Sequence, residues 1–178
     1  MKSTDLLSQE HKLILRALDV LDSMAGLIEQ SQLVDKADVD KILHFMRWFA
    51  DAHHQAKEET ILFPTLKRAA ASQDRPVDHL TMEHSQERAL IEELEKDVRL
   101  TEASQFVSSA NRLSSILRNH IYKEDQILFE TADAVFSERD DEAVYRKLQS
   151  FETAFDKQLL EKVLEELRAL EWKYLRKG

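Results

Sequence analysis

One ten-residue pattern occurs twice in this 178-residue chain, as His54-Gln55-Ala56-Lys57-Glu58-Glu59-Thr60-Ile61-Leu62-Phe63 and as His120-Ile121-Tyr122-Lys123-Glu124-Asp125-Gln126-Ile127-Leu128-Phe129. Each copy sets a histidine and a glutamate four residues apart, a spacing that stacks both side chains on one face of a helix. A second pair of segments repeats in step, Leu7-Ser8-Gln9-Glu10-His11 and Leu80-Thr81-Met82-Glu83-His84. His11 precedes His54 by 43 residues and His84 precedes His120 by 36, so each half reads as a hairpin of two helices. Two such hairpins with their histidine faces turned inward make a four-helix bundle.

The remaining composition agrees with that plan. Two Gly and two Pro leave little turn material for a many-stranded sheet. Hydrophobic residues (43%) and charged residues (33%) are mixed throughout, the mark of amphipathic helices rather than disorder or a membrane span. The expected fold is all-α: an up-down-up-down four-helix bundle over residues 1–136, and an additional C-terminal helix over 137–178 packed on the bundle or on a second subunit.

Helix one is predicted from an N-cap at Thr4 or Asp5 to about Ile28, and helix two from Asp38 to about Ala70 with a bend or break at Pro64. Helix three should run from Pro76 to about 99, and helix four from Glu102 to Val135. The fifth, highly charged helix should begin near Ser137. Its Leu160, Val163, Leu167, Leu170 and Tyr174 form an apolar seam at steps of three and four, a candidate homodimer contact.

Several function classes drop out. A net charge of −9 without a basic stripe argues against nucleic acid as a partner. No cysteine is present, so disulfides, thiolate ligands and cysteine nucleophiles are excluded. The N-terminal residues contain no apolar signal-like region, and no run of about 18 apolar residues occurs, so no membrane association and a cytoplasmic location are expected.

Six polar side chains then need an account. His11, His54, Glu58, His84, His120 and Glu124 fall in the repeated register, amid apolar neighbours such as Leu7, Ala50, Leu62, Leu80, Ile116 and Leu128. A single His-x-x-x-Glu pair is usually a surface contact. Four histidines and two glutamates recurring in step on an inner stripe would be costly to bury unless they share a ligand. Imidazole and carboxylate without thiolate suit iron, with manganese or zinc as substitutes. A structural zinc site closes with four ligands, whereas six ligands suit two metals bridged by both carboxylates. Each metal then takes two imidazoles and one oxygen from each glutamate, with positions left for a small molecule.

Only two carboxylates face two divalent ions, so the reduced site stays cationic. That balance suits binding of O2, NO or peroxide better than strongly oxidative chemistry. His44, His53 and His79 lie outside the repeat and read as surface or supporting residues. Glu10 and Glu83 are candidates to orient a ligand imidazole. Glu59 and Asp125 follow the two glutamates, and Asp125 could compete with Glu124 as a ligand. Tyr122 and Trp48 read as packing residues.

These paired segments resemble the hemerythrin-like HHE cation-binding proteins over about residues 5 to 136. The resemblance implies a non-haem di-iron centre held by His11, His54, Glu58, His84, His120 and Glu124, with Glu58 and Glu124 as bridges. Oxygen-carrying hemerythrins have a further histidine one turn after the helix-three ligand, where this chain has Arg88. The chain therefore looks more like the four-His, two-Glu members, which include iron-centre repair proteins. Those proteins carry a cysteine-containing N-terminal domain, and these 178 residues contain no cysteine. What the resemblance implies is a di-iron protein that senses, scavenges or handles a small ligand. The alternatives are a di-iron peroxidase, NO reductase or repair enzyme, and an iron-responsive interaction protein. Arg88 is expected near the open metal positions, where its cation would favour an anionic ligand.

Overall fold

The computed structural model describes residues 1–100 and 103–175, and among them it is all-helical. Helix α1 spans Lys2–Glu29. Helix α2 is continuous over 36–69, from Lys36–Phe45 through two wider, π-type stretches, Met46–Gln55 and Glu58–Leu62, to Phe63–Ala69. Helix α3 spans Asp74–Leu100. Helix α4 covers 103–135, with a π-type turn at Glu124–Leu128. The start expected for helix four at Glu102 lies outside the described residues.

Cross-helix pairs fix the directions. Met1 meets Asp133, His11 meets Asp125 and Asp22 meets Ser114, so α1 and α4 are antiparallel. Arg47 with Glu95 and Lys67 with Asp78 set α2 against α3 in the same way. The helix ends follow local chemistry. Asp35 accepts from the Ala37 N–H at 2.9 Å, which starts α2 at Lys36, two residues before Asp38. Pro76 lies in the first turn of α3, where its missing N–H is harmless. Pro64 follows the wide turn in which the Phe63 N–H reaches back five residues to the Glu58 carbonyl, so α2 passes through without a break. The same five-residue turn, Phe129 N–H to Glu124 carbonyl, occurs in α4 without a proline.

The C-terminal segment differs from the single helix expected of it. It forms two helices, α5 at Glu138–Ala154 and α6 at Lys157–Tyr174. Ser137 and Asp140 make a reciprocal capping box at the start of α5. Asp156 caps α6 by accepting from the N–H groups of Gln158 and Leu159, both at 3.0 Å. Val163, Leu167, Leu170 and Tyr174 are buried against α1, α2 and their neighbours, so the seam is used within the chain. Val144 and Leu148 of α5 join the apolar cluster at the other end of the bundle. No helix among the described residues is long and apolar enough to cross a membrane.

The bundle core is divided. One cluster gathers Ile14 to Ala25, Phe45, Phe49, Leu94, Leu113 and Leu117, and a second gathers Leu7, Leu62, Phe63, Leu66, Leu80, Leu128 and Phe129. Between them, on every one of the four helices, lie the repeated histidines and glutamates.

Leu148 is fully buried. Leu148→Ala should therefore destabilise the whole chain by about 2–5 kcal/mol. A urea titration followed by circular dichroism should show one transition moved to lower urea. An unmoved bundle transition would make the extension an appendage.

Candidate metal centre

The four helices converge on six buried side chains: His11 from α1, His54 and Glu58 from α2, His84 from α3, His120 and Glu124 from α4, none more than 2% exposed. Their ligand atoms fall into two overlapping groups, His11–His54–Glu58–Glu124 and Glu58–His84–His120–Glu124, each with its atoms within 4.8 Å of one another. Both glutamates belong to both groups. The Nε2 atoms of His54 and His84 lie 3.4 and 3.5 Å from the two oxygens of Glu58. Those of His11 and His120 lie 3.3 and 3.2 Å from Glu124. His11 Nε2 and all four carboxylate oxygens of Glu58 and Glu124 have no hydrogen-bond partner. Buried and orphaned acceptors of this kind are expensive, and a cation among them removes the penalty.

Every imidazole is aimed by a carboxylate on its other nitrogen. Nδ1 of His54 meets Glu10 at 2.8 Å, and Nδ1 of His120 meets Glu83 at 2.8 Å. Nδ1 of His84 meets Glu59 at 2.7 Å, and Nδ1 of His11 meets Asp125 at 2.9 Å. With Nδ1 donating outward, each Nε2 is turned to the middle, where those of His84 and His120 lie 2.9 Å apart, and a metal requires these nitrogens free of protons. Asp125 is thus placed behind His11 rather than among the inward-facing oxygens.

The rest of the repeated pattern now has a purpose. Phe63 stacks on His84 with ring centroids 5.7 Å apart, and Phe129 stacks on His11 at 5.4 Å. Glu59 and Phe63, four residues apart, therefore grip one imidazole, as Asp125 and Phe129 grip another. Lys57 bonds to Glu10 and Lys123 to Glu83, which ties the lysine of each pattern to the carboxylate behind its own histidine.

The sequence also pointed to residues that the structure places elsewhere. Arg88 pairs with Asp51 at 2.8 Å and with Glu59, so it sits behind His84 instead of facing the ligand atoms. The Glu59 carboxylate captures it. His44 stands 3.7 Å from Glu166, and His79 is largely exposed 3.2 Å from Glu83. His53 is buried with Lys57 and Glu152, away from the inward-facing ligand atoms. Trp48 and Tyr122, expected to pack, are 39% and 64% exposed. Sequence reasoning passed over Gln55 and Glu87, a buried pair 2.5 Å apart beside His120. Burial holds the Glu87 carboxyl up at about 7. The available signal was the position of Gln55 next to a ligand histidine on an inward face.

A family model for the hemerythrin HHE cation-binding domain matches residues 2–132. The chain belongs to that family. No curated protein matches the chain beyond this. In this hemerythrin HHE domain the matched span contains all four convergent helices and every inward-facing ligand atom, and the two His/Glu groups are of a kind that could hold metal.

Without a cation, protons balance the charge. Burial opposes a charged His11, but its bond to Asp125 and the nearby Glu124 and Glu58 carboxylates outweigh it and push the imidazole up to about 10. Burial likewise opposes charge on His120, and Glu124 overcomes it, holding His120 well above its usual range. Burial, reinforced by the Glu124 charge, lifts Glu58 well above the carboxylate range. Glu124 would also rise on burial, yet His120 and His11 hold it well below. Burial drives His54 down to about 4 and lowers His84.

At pH 7 the proton on His11, whose imidazole is held up at about 10, must leave before a metal can bind. Loading the domain with a divalent metal at pH 7 should therefore release at least about one proton per chain, measurable by calorimetry in buffers of different ionisation enthalpy. Release of fewer than one would contradict this charge pattern. For the metal-free protein the sign is opposite. The stabilisation from His11 is complete below about pH 6.5 and is lost as pH rises towards 10, so its melting temperature should fall across that window.

Proposed function

We propose that this hemerythrin HHE protein is a non-haem di-iron protein that binds O2, NO or peroxide. The observation that carries the reading is the sharing of both glutamates between two ligand groups whose carboxylate oxygens are buried and orphaned. A donor set of four imidazoles and two carboxylates without thiolate favours iron, and manganese and zinc are the competing metals. Two irons there would supply redox chemistry and open coordination positions for a small ligand.

The chain's own residues prepare that chemistry. His11 and His54 serve one position and His84 and His120 the other, with Glu58 and Glu124 spanning both. Glu10, Glu59, Glu83 and Asp125 fix the four rings so that no imidazole has to reorient on binding. The stacked Phe63 and Phe129, with Leu7, Leu62 and Leu128, surround the polar layer with apolar atoms and restrict water. Arg88 acts on this site through Glu59, balancing the carboxylate that holds His84.

Purified protein should bind about two irons per chain, as the paired groups of ligands require. It should develop visible absorption on exposure to air and shift that absorption with azide. His54→Ala and His120→Ala should each lower the iron content and the thermal stability together. Full iron occupancy in both variants would remove these histidines from the site. Iron that takes up neither azide nor NO would make the centre coordinatively closed, and catalytic turnover of peroxide or NO would identify an enzyme rather than a binder.

A further inference from the structure

The two halves of the repeat are not equivalent around their lysines. Lys123 is 25% exposed and, among the described residues, pairs with Glu83 alone, which the exposed His79 also approaches. Lys57 is 0% exposed. A buried ammonium is tolerated only when it is well paired, and Lys57 has two carboxylates: Glu10 of α1, and Glu152 of α5 at 2.5 Å. His53 completes the cluster. Its Nε2 meets Glu152 at 3.0 Å and its Nδ1 faces Lys57 at 3.4 Å. The ring lies between Phe49 and Phe155, and Phe151 covers Lys57. The C-terminal extension thus reaches, through Glu152, Lys57 and Glu10, the Nδ1 of His54. Nothing equivalent from the extension reaches His120 among the described residues.

The consequence for His54 follows from charge sharing. Glu10 accepts His54 on one oxygen and Lys57 on the other. An ammonium held by Glu10 alone would draw charge from that carboxylate and weaken its grip on the imidazole. Glu152 takes up part of the ammonium, leaves Glu10 a stronger acceptor and keeps His54 aimed. Glu10, His53 and Glu152 by themselves have the composition of a third metal group, but Lys57 already occupies the space among them.

We propose that Glu152 of the C-terminal extension is a positioning residue for the His11/His54 half of the metal site, acting through Lys57 and Glu10, and that it makes this half the tighter of two unequal metal positions. The inference rests on the two-metal reading above. Its test is a titration of the metal-free, full-length protein with cobalt(II) alone, followed by calorimetry and by the visible spectrum of the bound ion.

The wild-type chain should bind two equivalents in two steps. Glu152→Gln should weaken the tighter step by about tenfold and alter its spectrum, as loss of a supporting carboxylate typically does, and leave the other step within about threefold. The weakened step should be the one that His54→Gln abolishes, not the one that His120→Gln abolishes. Glu152→Asp, which keeps the charge, should recover most of the affinity even if Glu152→Gln folds poorly. Glu142→Gln, at an exposed ion pair on the same helix, should change neither step.

Two unaltered steps in Glu152→Gln, or equal weakening of both, would overturn the inference and leave the two-metal reading standing. A wild-type chain that binds no cobalt would overturn that reading and the inference with it.

Discussion

Six ligand side chains facing one another across the middle of the bundle dictate most of what surrounds them. A helical bundle of this size would ordinarily run one apolar core from end to end, yet here a polar layer separates the Ile14–Leu117 cluster from the Leu7–Phe129 cluster. The carboxylate oxygens of Glu58 and Glu124 find no N–H or O–H to accept from. Positive charge has to enter that layer, and either protons or metal ions can supply it. His11 and His120, held towards their charged forms beside Glu124, and Glu58, held towards its neutral form, are one solution. Metal binding is then an exchange of cations in a layer already built for them, and it requires less reorganisation than assembling a site from separated residues.

The repeated pattern works because its residues serve different helices. His54 and Glu58 point into the layer from α2, Glu59 and Phe63 hold His84 of α3, and Lys57 holds Glu10 of α1. The α4 copy does the same for His11 and Glu83. Each ring is thus fixed by a carboxylate or stacked phenyl from a neighbouring helix, so the site and the bundle packing stabilise each other. The wide turn that follows each glutamate falls inside this span, and such turns recur at functional sites in helices.

Much of this was legible in the sequence, for an identifiable reason. Helical periodicity preserves the faces of residues four apart, so His54 with Glu58 and His120 with Glu124 declared a shared direction, and repetition distinguished them from chance pairs. Glu10 and Glu83 could be read as supports because each adjoins a repeated histidine. Residues whose partners lie far away in the chain could not be read. Lys57 looks like a solvated lysine until Glu152, 95 residues later, is folded over it. The i+4 spacing of Arg88 from His84 gives the face of α3 and leaves open whether it supports a ligand or lines the access to the metals, because the pull of Asp51 and Glu59 on α2 cannot be read from α3 alone. The break between α5 and α6 carries no Gly or Pro, and only the capping carboxylate of Asp156 marks it.

The extension is where the twofold plan of the bundle ends. Four helices related by an internal repeat would present two alike metal positions, each with a lysine-backed carboxylate behind one imidazole. Helix α5 covers only one of those lysines, and in doing so it replaces solvent around Lys57 with Glu152, His53 and aromatic rings. Solvent remains free to screen the Lys123–Glu83 pair, whereas the buried pair works at lower effective dielectric and holds its geometry more firmly. Two positions with the same ligands can therefore differ in how rigidly those ligands are held, and the difference originates in residues that touch no metal. In this chain the segment beyond the repeated bundle is consequently part of the chemistry of the site, because the charge it adds reaches the site through hydrogen bonds that the repeat already provides.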